Sequence, residues 1–280
     1  MPDFEHYLQH VLDEVQNSVV KEAMQYSLMA GGKRIRPRLL FAALEAYGHD
    51  PREGFLCGAA IEMIHTYSLI HDDLPAMDND TLRRGLPTCH VKFDEGTAIL
   101  AGDALLTQAF VVGSMACDDP AINQNIVHAL STYSGADGMI LGQIKDLEGE
   151  RNPDITVEGL MDIHAYKTGK LLTLPFICAA YLAHREEDLE TWKKIGTCIG
   201  LSFQIQDDIL DVTSTAEELG KNINSDAENG KSTYVTLMGI DKAEKEAERY
   251  YQEAAELLSN LQLNQQPVLE VFQELTRRKH

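Results

Sequence analysis

The sequence predicts an all-α protein organised as one domain over residues 1–280, and three observations carry that reading. Apolar residues recur at helical spacing from the start, as Phe4, Leu8, Val11, Leu12, Val15 and Val19, while strand-like alternation is weak. No Pro-, Gly- or Ser-rich linker divides the chain, whose length can bury a large core. Two acidic clusters far apart in the chain, one beginning at Asp72 and one at Asp207, make sense only if one domain turns both toward one cavity.

The elements follow in order. Phe4 to Val19 carries apolar residues at helical spacing. Next comes Gly31-Gly32-Lys33-Arg34-Ile35-Arg36-Pro37. Its glycines could simply end a helix, with Lys33 and Arg34 satisfying the last carbonyls, but Lys33 and Arg36 together suggest an anion site. The helix through Met63-Ile64 and Leu69-Ile70 leads into Asp72-Asp73-Leu74-Pro75-Ala76-Met77-Asp78. On an unbroken helix Asp72 and Asp78 would face ~120° apart. Pro75 cannot donate a backbone bond and biases Leu74 away from the α region, so the helix is expected to end near Asp73 and the loop to swing Asp78 back. Arg83-Arg84-Gly85 is either a solvated turn or a phosphate clamp.

Further on, Tyr166-Lys167-Thr168-Gly169-Lys170 could be a helix C-terminus or part of the site. Residues 171–182 are the most apolar run, too short to span a bilayer, and are expected to form a core helix. In Asp207-Asp208-Ile209-Leu210-Asp211 the three aspartates fall at i, i+1 and i+4, so one helical face carries them all. Residues 241–249 read as a solvated helix face.

Carboxylates set in apolar sequence are costly to bury without cations, so the two clusters ask for a divalent metal. Hard oxygen donors favour magnesium over zinc, and His65 and His71 lack a third histidine at metal-ligand spacing. The 44 acidic and 24 basic side chains leave a net charge of −20, which repels nucleic acid and anionic membranes. Magnesium would turn the acidic cavity into an anion receptor, so an anionic substrate remains compatible. Arg forks and Lys point charges beside glycines suit diphosphate oxygens. The five unclustered cysteines, Cys57, Cys89, Cys117, Cys178 and Cys198, suggest reduced thiols in the cytoplasm, and no signal pattern is evident.

These motifs, with Gly102-Asp103-Ala104-Leu105, Phe203-Gln204-Ile205-Gln206 before Asp207, and Gly230-Lys231-Ser232-Thr233, resemble in kind and order those of the polyprenyl diphosphate synthases, the trans-prenyltransferases. The resemblance runs from Gly31 to Thr233 and is closest to the bacterial members that stop at the fifteen-carbon farnesyl chain. It implies the isoprenoid synthase fold, a helical bundle around a central substrate cavity, and a cytoplasmic homodimer. It also implies three magnesium ions per site, held through Asp72, Asp78 and Asp207, with Asp73, Asp208 and Asp211 shaping their surroundings. An allylic diphosphate would meet Arg83, Lys167, Thr168, Gln204, Lys221 and Lys231. Isopentenyl diphosphate would meet Lys33, Arg36, His65 and Arg84. Thr168 and Gln204 would stabilise an allylic carbocation, the segment from Asn222 to Lys231 would order over the site, and Tyr67 and Ser68 would limit product length. Three alternatives stay open: a geranylgeranyl diphosphate synthase, a class I terpene cyclase, and a catalytically silent subunit of a heteromeric synthase.

Overall fold

The computed structural model describes residues 1–152, 154–213 and 232–276. Its helices are α1 (Pro2–His10), α2 (Val19–Leu28), α3 (Ile35–Ala46), α4 (Phe55–Asp72), the single turn α5 (Cys89–Lys92), α6 (Glu95–Gly113), α7 (Pro120–Ser134), α8 (Met139–Gly149), α9 (Val157–His164), α10 (Lys170–Leu182), α11 (Leu189–Thr213), α12 (Tyr234–Met238), α13 (Ile240–Ser259) and α14 (Gln266–Thr276). Among the described residues the exception to the all-α pattern is a hairpin of two-residue strands, β1 (Leu82–Arg83) and β2 (Leu86–Pro87), paired antiparallel with Arg83 opposite Leu86. Lys221, Lys231 and the 222–231 segment expected to cover the site lie outside the described residues.

At the N-terminus the helical spacing runs across a break between two helices. The apolar spacing from Phe4 to Val19 does not belong to one helix: α1 stops at His10, and Leu12 reaches the core from a turn. Ser18 begins α2 by accepting the Lys21 amide at 3.2 Å, and the Lys21 ammonium donates to the Val15 carbonyl at 2.7 Å, satisfying an acceptor the turn has freed. Core positions recur at helical spacing here without a continuous helix.

The centre of the bundle is α10, buried along almost its whole length despite Pro175, as its apolar run predicts. It packs on α3, α7 and α11. At the end of the core remote from the aspartates, Trp192 of α11 stacks on Phe176 with ring centroids 4.7 Å apart. Its indole N–H donates to the Tyr47 hydroxyl at 2.7 Å, which donates in turn to Asp188 at 2.8 Å. Among the described residues α6 alone is long and apolar enough by composition to cross a bilayer. It packs along α4, with Ala98, Ala101, Gly102, Leu105 and Ala109 buried.

Helix α13 carries the 241–249 segment, and its small residues Ala243, Ala247 and Ala254 face α11 while the charged side stays in water. The pairing of α11 with α13 and of α4 with α6 fixes the two helices that bear the aspartate clusters.

Candidate active site

The basic wall rests on unusual backbone. Gly31 and Gly32 have φ of 84° and 119°, and Arg34 and Arg84 are left-handed at 47° and 54°. Arg84 and Gly85 form the two-residue turn of the hairpin, where positive φ at both positions matches the twist of the strands. That turn lays the Arg84 guanidinium over the 31–36 loop, where it donates to the Gly31 carbonyl. A Cβ on Gly32 would meet only the movable Arg84 guanidinium, so it is the φ of 119° that asks for glycine there.

Beside this contact, burial lowers the Arg36 guanidinium to about 10, with Arg84 adding to the effect and Glu62 opposing it. Its buried Nε has no hydrogen-bond partner. Burial, together with Arg36, Arg84, Arg83 and Arg34, holds His65 well below the usual imidazole range and therefore neutral. Lys33 is exposed on the same loop. The structure thus brings Arg36, His65 and Arg84 into one electrostatic neighbourhood.

The acidic wall is built on regular helix. As the proline predicts, α4 ends at Asp72, and the loop returns so that the Asp78 amide donates to the Asp72 carbonyl at 2.9 Å. Burial raises the Asp72 carboxyl to about 6, Lys167 opposes the shift, and Asp78 adds to it. Asp73 is buried and turned away: it receives Arg83 Nε at 2.7 and 2.9 Å on its two oxygens. On α11, Asp208 accepts the Tyr234 amide at 2.8 Å and so anchors the start of α12, while Asp211 is buried and Asp207 half-buried. Asp73 and Asp208 therefore hold protein structure together.

Between these walls, Ala165–Gly169 forms a π-turn that runs into α10. Glycines on both sides hold it: a Cβ on Gly142 of α8 would lie 2.0 Å from the Lys167 backbone nitrogen, and one on Gly200 of α11 would lie 2.8 Å from the Gly169 Cα. The segment is thus neither a helix C-terminus nor a loop. Its Lys167 pairs with Asp146 of α8. Lys167, Thr168, Gln204 and Asp208 line a cavity of 210 Å³ together with Asp146, Glu150, His164 and Thr233.

The sequence alone did not single out Asp146, Glu150 or His164, although His164 and Thr168 are four residues apart on one face. Burial lowers His164 to about 4, so it is neutral, and its Nδ1 lies 3.2 Å from the Tyr234 hydroxyl. Along α4, Tyr67 is buried with no partner for its hydroxyl, its ring meets that of His71 edge-on at 5.8 Å, and the Ser68 hydroxyl donates to the His65 carbonyl at 2.9 Å.

Among the described residues no three His, Cys, Asp or Glu side chains converge closely enough to hold a metal ion. Magnesium keeps several waters and takes one or two carboxylates plus phosphate oxygens instead of a protein cage. The oxygen donors of Asp72, Asp78 and Asp207 suit such an ion.

Residues 17–275 match the family model described as polyprenyl synthetase. The chain belongs to the polyprenyl synthetase family. It is 44% identical over 265 residues to the farnesyl diphosphate synthase of Bacillus subtilis, covering 93% of this chain and 89% of the relative. It is also 44% identical over 243 residues to the chloroplastic geranylgeranyl pyrophosphate synthase of Capsicum annuum, covering 86% and 66%. A solved geranyltransferase of Helicobacter pylori, complexed with magnesium and isoprenyl diphosphate, matches with a TM-score of 0.81 at 36% identity, covering 99% and 92%. The all-α bundle is the isoprenoid synthase fold. Membership in the polyprenyl synthetases makes the chain a trans-prenyltransferase.

Proposed function

We propose that the chain joins isopentenyl diphosphate head-to-tail to dimethylallyl and then geranyl diphosphate, with farnesyl diphosphate as product. The observation that carries this reading is the pair of unlike anion sites on one bundle: Arg36, His65 and Arg84 on one wall, Asp72 and Lys167 on the other. A cation wall binds a diphosphate directly, whereas a carboxylate wall binds one only together with metal, so two similar anions are sorted by chemistry. Bound magnesium, held by Asp72, Asp78 and Asp207 in as many as three ions, supplies the positive charge that the departing diphosphate needs.

The protein groups act around that charge. Departure breaks the allylic carbon–oxygen bond and leaves an allylic cation, which the isopentenyl double bond attacks; the proton then lost goes to the released diphosphate. Lys167 exchanges Asp146 for phosphate oxygen, and Arg83 meets the same anion from its Asp73 anchor. Thr168 and Gln204 present oxygen dipoles to the cation from the cavity wall. No protein nucleophile is involved. The Lys221 and Lys231 contacts, on residues outside the described set, belong to the same proposal.

Tyr67, buried about one turn before Asp72, forms the floor for the growing chain and favours the fifteen-carbon product over the twenty-carbon one of the Capsicum relative. A terpene cyclase has no use for a second, basic diphosphate site, and a silent subunit would have lost one aspartate cluster. Incubating the purified protein with magnesium, isopentenyl diphosphate and each allylic diphosphate, followed by product chromatography, tests the assignment: farnesyl diphosphate is expected, and a twenty-carbon main product would reject it. We further propose a cytoplasmic homodimer, supported by the exposed apolar Ile99, Leu100 and Val111 on α6 and Ile140 and Ile144 on α8. Light scattering at assay concentration should give twice the chain mass.

A further inference from the structure

The 31–37 motif carries three cations at Lys33, Arg34 and Arg36, yet the middle one cannot touch a ligand. The Arg34 side chain is 2% exposed, and its guanidinium is used up inside the protein. Nε donates to Glu5 at 2.8 Å, Nη1 to Glu62 at 3.0 Å, and Nη2 to Glu5 at 3.2 Å and to the Leu28 carbonyl at 2.9 Å. Three helices meet at this one side chain: α1 through Glu5, the end of α2 through Leu28, and α4 through Glu62. Its backbone sits in the left-handed region at φ 47°, a conformation unfavourable for arginine that persists only where surrounding bonds impose it.

Glu62 is equally buried, with a side chain 2% exposed, and its charge reaches beyond Arg34. It favours the charged forms of Arg36 and Arg84 as well. With no anion present, Glu62 is the buried counter-charge that lets these guanidiniums share one wall.

We propose that Arg34 and Glu62 form an internal brace that positions Lys33 and Arg36 for a diphosphate, and that Glu5 makes α1 part of that brace. Arg34 and Glu62 are positioning residues, and affinity at the basic wall depends on a helix at the far N-terminus of the chain. Assigning the diphosphate to isopentenyl diphosphate rests on the function proposed above; the brace itself does not.

The variants Glu5→Gln and Arg34→Lys test this, with two readouts: calorimetric binding of inorganic diphosphate in the presence of EDTA, and the KM values for isopentenyl and geranyl diphosphate. Glu5→Gln should weaken metal-free diphosphate binding roughly two- to tenfold, the range set by loss of one ordinary hydrogen bond. It should raise the KM for isopentenyl diphosphate by a similar factor, leaving kcat and the KM for geranyl diphosphate unchanged. Arg34→Lys, which keeps the charge and loses the fork, should do the same more strongly. General destabilisation would shift both KM values or kcat, so the split identifies positioning. Should Arg34→Lys not fold, Glu5→Gln decides, because its carboxylate is 39% exposed and the change is mild. Unchanged diphosphate affinity, or equal movement of both KM values, overturns the brace. Weakened diphosphate binding with a rise confined to geranyl diphosphate keeps the brace and overturns the substrate assignment.

Discussion

The two walls of the site are made in opposite ways. The basic wall relies on a backbone few sequences can adopt, with Gly31, Gly32, Arg34, Arg84 and Gly85 all at positive φ, and carries its counter-charge inside as Glu62. The acidic wall uses ordinary helix, the end of α4 and one face of α11, and burial there raises Asp72 to about 6. A site that binds an anion without metal must fix its cations in advance. A site that recruits metal together with substrate can keep regular structure and wait.

The largest break in this contrast should come from the acidic wall. Asp72→Ala or Asp207→Ala is expected to lower turnover by at least about 10²- to 10³-fold, the scale for removing one stabiliser of developing charge. Circular dichroism should show the helices intact, and near-normal turnover at saturating magnesium would end the metal assignment. Next in size, Arg36→Ala should raise the KM for isopentenyl diphosphate about ten- to a hundredfold, since hydrogen bonds to charged groups contribute roughly 1.5–3 kcal/mol. Geranyl diphosphate should be little affected; if both rise equally, the two walls do not sort the substrates.

Tyr67→Ala sharpens the comparison from beneath. A residue five positions before Asp72 lies ~7 Å deeper along the helix, and its removal opens space on the path of the prenyl tail. The main product should move from fifteen to twenty carbons or more, read by chromatography, and an unchanged product from active enzyme would put the floor elsewhere.

The smallest effect is on stability. Because the folded carboxyl of Asp72 lies above its unfolded value, the native state binds the proton more tightly, and its contribution to stability is lost as pH rises from about 4 through about 6. Asp72→Asn should therefore raise the melting temperature of metal-free protein by a few degrees at pH 7.5, and the gain should shrink toward pH 4.5. A gain independent of pH would mean that charge burial is not its cause.

Much of the acidic wall was legible because its rules are local. Pro75 ends α4 where its missing N–H requires, and the i, i+4 spacing of Asp207 and Asp211 sets a helical face. The basic residues could be listed from the sequence, but not their division of labour. Arg34 looks like its neighbours until Glu5, Leu28 and Glu62 close around it, and the two carboxylates among them are distant in the chain. The π-turn was illegible for the same reason, since Gly142 and Gly200 acquire meaning only when α8 and α11 press on Lys167 and Gly169. The break between α1 and α2 was hidden because Leu12 keeps its core position without helix.

The stack of Trp192 on Phe176 has a practical consequence for spectroscopy. It is the one tryptophan in the chain, fully buried, and fifteen residues before Asp207 on the same helix, a separation of ~22 Å. Its fluorescence therefore follows the dry end of the bundle and stays dark to whatever fills the cavity, so an emission shift during titration with a diphosphate would signal a change running the length of α11 and not occupancy alone.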